Sequence, residues 1–252
     1  MNLPITPSPR HALDLRHDTL AELRRRFIEP LDDNARQWWQ QAHERLARQP
    51  DANTVALLSS QYRRGPGQHI AGNSAWPHTQ LAHVLLLALA LEHQAAADRL
   101  PLLEQLFRWA DDQEKIALLK ALDWLDSQGA CLGLALQAGR TNNSQVFAAI
   151  ALNNPYPARH YDERGFYQLI LKALGMSLDV RRTEGLAQRR SHTLNQLALD
   201  LLEEQLAADR AVSVGLPHVI AFALLSPTQL QRLVNLDQQQ RLPPGWREHL
   251  PG

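Results

Sequence analysis

Apolar residues recur at helical spacing along almost the whole chain, and strand-type alternation is nearly absent, so most of these 252 residues are constrained to pack as helices. The periodic stretches run about 16–28, 33–49, 54–62, 76–96, 101–109, 112–125, 130–138, 144–152, 162–174, 191–208 and 227–236. Ala and Leu dominate a hydrophobic share of 44%, a bias toward helix rather than strand. The joints are short and recognisable. Asp111-Asp112, Thr141-Asn142 and Ser226-Pro227 read as helix N-caps, the last with Pro at the first helical position. Short joints imply antiparallel neighbours, and between Leu100 and Leu174 the helices come in consecutive pairs. The expected fold is therefore all-α, a stack of antiparallel helix pairs in a HEAT-like or α-solenoid-like array, with an irregular helical bundle as the alternative. Residues 1–15, with Pro4, Pro7 and Pro9, read as a flexible Pro-rich leader ahead of a single all-α domain over 16–252.

Composition excludes several function classes. The 26 basic and 26 acidic residues balance, which leaves no electrostatic footprint for a phosphate backbone, so nucleic acid is not an expected partner. A lone cysteine, Cys131, allows no intramolecular disulfide, and the prolines near the N-terminus interrupt any signal-peptide core; both fit a cytoplasmic protein. The longest apolar run, Val84 to Leu91, falls far short of the roughly 20 residues that span a bilayer, so no membrane insertion is expected, although this Leu-rich helix is a candidate interface to a membrane partner.

Motifs for metal, nucleotide and covalent chemistry are missing. Among eleven histidines, His78 and His83 stand five apart, which turns them about 140° on a helix, and no H-E-x-x-H or C-x-x-C occurs; no metal is expected. His83 lies inside an apolar pattern and reads as a satisfied, partly buried residue, and Cys131 reads as inert packing on an apolar helix. There is no Walker A loop and no dinucleotide fingerprint, so no cofactor is expected. Trp38, Trp39, Trp109 and Trp124 sit at helical spacing beside Leu and Ala and read as core.

Two irregular segments remain where a pocket could be rimmed: Arg63 to Ser74, and Ser177 to Arg190 with Arg181-Arg182 and Arg189-Arg190 around Thr183-Glu184-Gly185-Leu186. The most specific stretch is Thr141 to Gly175, centred on Asn153-Asn154-Pro155-Tyr156-Pro157. The two asparagines can cap or turn left-handed, and the prolines stop a helix and hold Tyr156 at a stiff corner. Beyond it, Tyr161, Gly165, Gln168 and Lys172 fall on one helical stripe, opposite Phe166, Ile170, Ala173 and Leu174, which should face the core. Convergent polar groups on an apolar wall make Asn142, Asn153, Asn154, Tyr156 and Gln168 candidates for substrate binding, with Lys172 and Tyr161 as candidate catalytic groups. The same residues read equally well as a corner that caps two helices.

The segment 142–157, with Tyr161-Asp162-Glu163 and 168–174 after it, resembles the signature of the EboA family, and 182–186 with the helix from Ser191 resembles the family's adjoining C-terminal stretch. The resemblance implies a helical accessory protein of an ebo-type gene cluster, beside a prenyltransferase, a metal-dependent hydrolase and a dehydroquinate-synthase-like enzyme, assisting the synthesis or traffic of a small prenylated or phenolic metabolite. Other proteins of that cluster are the implied partners. Some members carry a sugar-phosphate isomerase label, for which this chain has no barrel pattern. The alternative is an isomerase- or transferase-type enzyme on a phosphorylated or phenolic metabolite, using Lys172 and Tyr161. Gly175-Met176-Ser177 departs from the bulkier apolar run expected after Lys172-Ala173-Leu174.

Overall fold

The computed structural model describes residues 12–70 and 76–250, and these are helices, turns and irregular segments with no strand. Residues 1–11 of the expected leader and 71–75 of the expected loop lie outside the described residues. Tertiary contacts divide the chain into two compact units that meet between Ala138 and Gly139.

The first unit contains α1 (His17–Ile28), α2 (Asp33–Arg48), α3 (Ala52–Arg64), α4 (His78–His93), α5 (Ala96–Trp109), α6 (Asp112–Lys120), α7 (Leu122–Leu125) and α8 (Leu132–Ala138). Its centre is α4. Every residue from Ala82 to Leu91 is buried, and α1, α2, α3, α5 and α6 pack around it. A helix apolar on all sides is stable in water only when wrapped in this way. The expectation that the Leu-rich helix offers an interface is therefore corrected, because Val84 to Leu91 are completely buried. Around α4 stand Phe27, Trp39 and Tyr62, with ring centroids 4.5 to 6.3 Å apart. His78 stacks on Phe27 at 4.3 Å and meets the Tyr62 hydroxyl at 3.0 Å. His83 Nδ1 lies 2.9 Å from Ser59 Oγ, while its Nε2 has no partner among the described residues, and burial pushes this imidazole down to about 4.

Side-chain caps set most helix starts. Asp32, Asp51 and Asp111 accept from the backbone N–H three residues on, at 2.7 to 2.9 Å, and Glu114 closes a capping box with Asp111. The end of the expected leader is packed: Leu13 and Leu15 are buried, and Ser127 Oγ donates to Asp14 at 2.6 Å. Helix α5 begins at Ala96, five residues before the expected start at Pro101, so Pro101 lies inside the helix, where it removes one intrahelical N–H donor without ending it. Trp109, read as core, is 52% exposed at the end of α5, and Trp246, which no pattern marked, is fully buried. Cys131 sits in the turn before α8 rather than on it; its thiol is raised by burial and by buried Asp126, whose carboxylate accepts from the Cys131 N–H at 2.6 Å.

The second unit contains α9 (Ser144–Ala151), α10 (Pro155–His160), α11 (Glu163–Gly175), α12 (His192–Ala207), α13 (Leu216–Val219) and α14 (Pro227–Gln238), with 3-10 turns at Val180–Arg182, Ala187–Arg189, Phe222–Leu224 and Pro244–His249. Helix α11 contacts α9 and α12, and α13 packs on α12 and on the turns at 180–182 and 244–249. Irregular backbone here is satisfied by side chains. Buried Asn195 clasps Ala221 with both ends of its amide, donating to the carbonyl at 3.0 Å and accepting the N–H at 2.8 Å. No helix among the described residues is long and apolar enough to cross a membrane.

Candidate functional site

The Asn-Asn-Pro-Tyr-Pro corner joins α9 to α10. Asn153 takes the left-handed conformation, φ 50°, and its N–H donates to the Arg182 carbonyl at 2.7 Å. Asn154 is buried; its amide donates to the Ala149 carbonyl at 2.8 Å and its oxygen accepts from the Tyr156 N–H at 3.0 Å, so one side chain ends α9 and starts α10. Helix α9 stops at Ala151, ahead of the prolines as expected, but a second helix rather than an irregular corner follows. Pro155 opens a helix of six residues, because the first-turn N–H groups a proline lacks have no intrahelical acceptor. The cap of α9 is likewise Asn143, not Thr141-Asn142; its oxygen accepts from Gln145 and Val146 at 3.0 and 3.3 Å.

The candidate residues separate. Tyr156 is completely buried and meets His160 at a tilt, with centroids 4.5 Å apart. Tyr161 precedes α11, which starts at Glu163 behind an Asp162 cap, so it does not share the stripe of Gly165, Gln168 and Lys172. Its hydroxyl is buried without a hydrogen-bond partner among the described residues, and burial raises its pKa. The core-facing stripe Phe166, Ile170, Ala173 and Leu174 is buried as its spacing requires. Asn142 and Gln168 are exposed. Lys172 is half-buried, and its ammonium donates to the carbonyls of Gly139 at 2.8 Å and Thr141 at 2.7 Å while lying 5.0 Å from the centre of the Phe147 ring. It therefore fastens the segment between α8 and α9 to α11.

Two concavities flank this region. Gln168 lines one of about 620 Å³ between α11 and α12, walled by Tyr167, Leu171 and Leu197. Tyr167 is held there by Glu163 at 2.7 Å and Ser191 at 2.7 Å. Asn153 lines the other, a bowl of about 490 Å³ whose lining includes Arg181, Arg182, Thr183, Glu184, Arg190 and His218. The bowl forms where the chain reverses between the 3-10 turns at 180–182 and 187–189. Gly185, φ 76°, makes the reversal, and a Cβ there would lie 2.7 Å from the Ala158 Cβ, which seats the loop on α10. Arg189 reinforces that seat, donating to the carbonyls of Tyr161 at 3.0 Å and Pro157 at 3.4 Å while stacking 4.3 Å from the Phe166 ring. The arginine pairs marked this segment in the sequence, but nothing there connected them to Asn153 or pointed to His218. Among the described residues, no three His, Cys, Asp or Glu side chains gather as metal ligands would.

The family model described as metabolite traffic protein EboA matches residues 45–221, most of the chain. No curated protein and no solved structure matches it.

Proposed function

We propose, from the premise that the chain belongs to the EboA family of metabolite traffic proteins, that it is a non-catalytic carrier for a small metabolite and takes that metabolite beside the Asn153 corner. In this reading it serves other ebo-cluster proteins in the cytoplasm, its helix pairs stacking as a HEAT-type array, and its cargo is prenylated or phenolic. The observation that carries the non-catalytic part is the environment of Lys172, whose ammonium is committed to two backbone carbonyls and an aromatic face. A lysine so engaged stabilises a chain segment; a general base or nucleophile needs a free lone pair within reach of substrate.

Lys172→Met separates the carrier from an enzyme. It keeps the stem beside Phe147 and removes the charged donors, and should lower unfolding free energy by about 2 kcal/mol, because hydrogen bonds from charged groups contribute about that much. Metabolite binding by the folded fraction, read by calorimetry, should persist. A Lys172→Met protein as stable as the parent but inactive in a reconstituted pathway would make Lys172 catalytic and overturn the reading. Absence of binding to every pathway metabolite and every cluster protein would also overturn it.

A further inference from the structure

The bowl beside Asn153 has a charge arrangement that its size alone does not require. Arg181 is held on both prongs by Asp179, at 2.7 and 2.9 Å. Arg182 and Arg190 have no carboxylate partner among the described residues. The Arg182 guanidinium packs on the Asn153 amide, which, turned so that its oxygen faces Arg182, accepts from Nη2 at 2.6 Å and Nε at 3.3 Å, and Arg190 donates to the His218 backbone carbonyl. Each guanidinium has five donors, so both retain unused N–H groups. Thr183 belongs to the same lining; it is only 6% exposed, and its buried Oγ1 has no hydrogen-bond partner among the described residues. The lining contains one carboxylate, Glu184, which is exposed and forms no ion pair with any described residue. The imidazole of His218 is pushed below its ordinary value by burial first and then by Arg181, His249 and Arg190, against Asp179.

We propose that this bowl binds the phosphate group of a small metabolite, with Arg182 and Arg190 as its charge partners. The proposal rests on the carrier reading and specifies the chemistry of its cargo. Two guanidinium forks that line one bowl from separate turns suit a tetrahedral group with three terminal oxygens; a carboxylate would be satisfied by one fork. A bowl of about 490 Å³ falls within the range of small-molecule sites and has room for an organic body against Leu186 and Ala187.

Isothermal titration with inorganic pyrophosphate tests the assignment, with succinate as the carboxylate control. Pyrophosphate should bind the parent chain more tightly than succinate does, and more weakly as salt is raised. Arg182→Gln and Arg190→Gln should each weaken it by about tenfold or more, the scale of a lost charge-assisted pair, and Glu184→Gln should tighten it severalfold by removing the opposing charge. Glu184 is exposed, so its variant reports even where loss of an arginine prevents folding. Equal binding of succinate, arginine variants with unchanged affinity, or no gain in Glu184→Gln would overturn the phosphate assignment. Metabolite binding that survives any of these results would leave the carrier standing without its phosphate; loss of both kinds of binding would remove the two together.

Discussion

The two units solve the same problem by different means. In the first, one helix without a polar side is wrapped by five others, and burial of Ala82 to Leu91 dominates its cohesion. In the second, the helices are mostly shorter, and polar side chains hold the irregular segments between them: Asn195 clasps Ala221, Lys172 gathers the carbonyls of Gly139 and Thr141, Arg189 closes the end of α10, and Asn154 joins two helices. Apolar burial tolerates changes of shape poorly but has no direction. A side chain bonded to backbone positions a particular loop, which is what a rimmed bowl requires.

The sharpest way to break this contrast is Leu86→Ala. Leu86 is completely buried at the centre of α4, and its truncation should cost about 3–5 kcal/mol in chemical unfolding, a transfer loss plus a cavity. A cost below about 1 kcal/mol would mean that α4 is not the organising element. In the second unit, Asn195→Ala should cost about 2–3 kcal/mol by leaving the Ala221 N–H and carbonyl unpaired, with little change in buried apolar area. Hydrogen exchange should show the opening confined to the segment around Ala221; a global loss of protection would count against a local clasp.

Acid should act on the first unit through His83. Its folded value of about 4 lies below the 6.5 of a free imidazole, so between these pH values the unfolded chain binds a proton that the folded chain does not. Stability is therefore complete above about 6.5 and falls as pH drops toward 4, by up to about 1.4 kcal/mol per pH unit from this one group. His83→Gln should flatten that part of the curve. The smallest effect should come from Trp109→Ala, which removes a large side chain that is half exposed and should change stability by less than about 0.5 kcal/mol. A larger loss would place Trp109 in a contact that its exposure does not suggest.

Most helices of both units were legible from periodicity and caps, because apolar spacing and Asp or Ser at a helix start express backbone geometry directly in residue type. Proline misleads at Pro101, which reads as a helix start but lies inside α5, and at Pro155, which reads as part of a stiff corner but opens α10, since its cost depends on position within the helix. The break between α6 and α7 at Ala121 has no residue signal at all. At the candidate site the failure was of another kind. Spacing places Lys172 on a stripe of α11 with Gly165 and Gln168, but its partners are backbone carbonyls of residues 139 and 141, which no side-chain pattern can announce. Tyr161 was assigned to a helix it precedes. The bowl combines a left-handed asparagine, a 3-10 turn and a histidine from well-separated parts of the chain, and only folding brings them together.

Helix α4 also has a place in the order of synthesis. Translation delivers α1, α2 and α3 before it, so most of its wrapping is already made when its leucines emerge, whereas α5 and α6 arrive afterwards. Until then one flank of an apolar rod stands open to solvent and to other chains. A nascent chain in which α4 has emerged but α5 and α6 have not is the species most prone to associate with its neighbours, and the stretch from Ala96 to Lys120 is what ends that exposure.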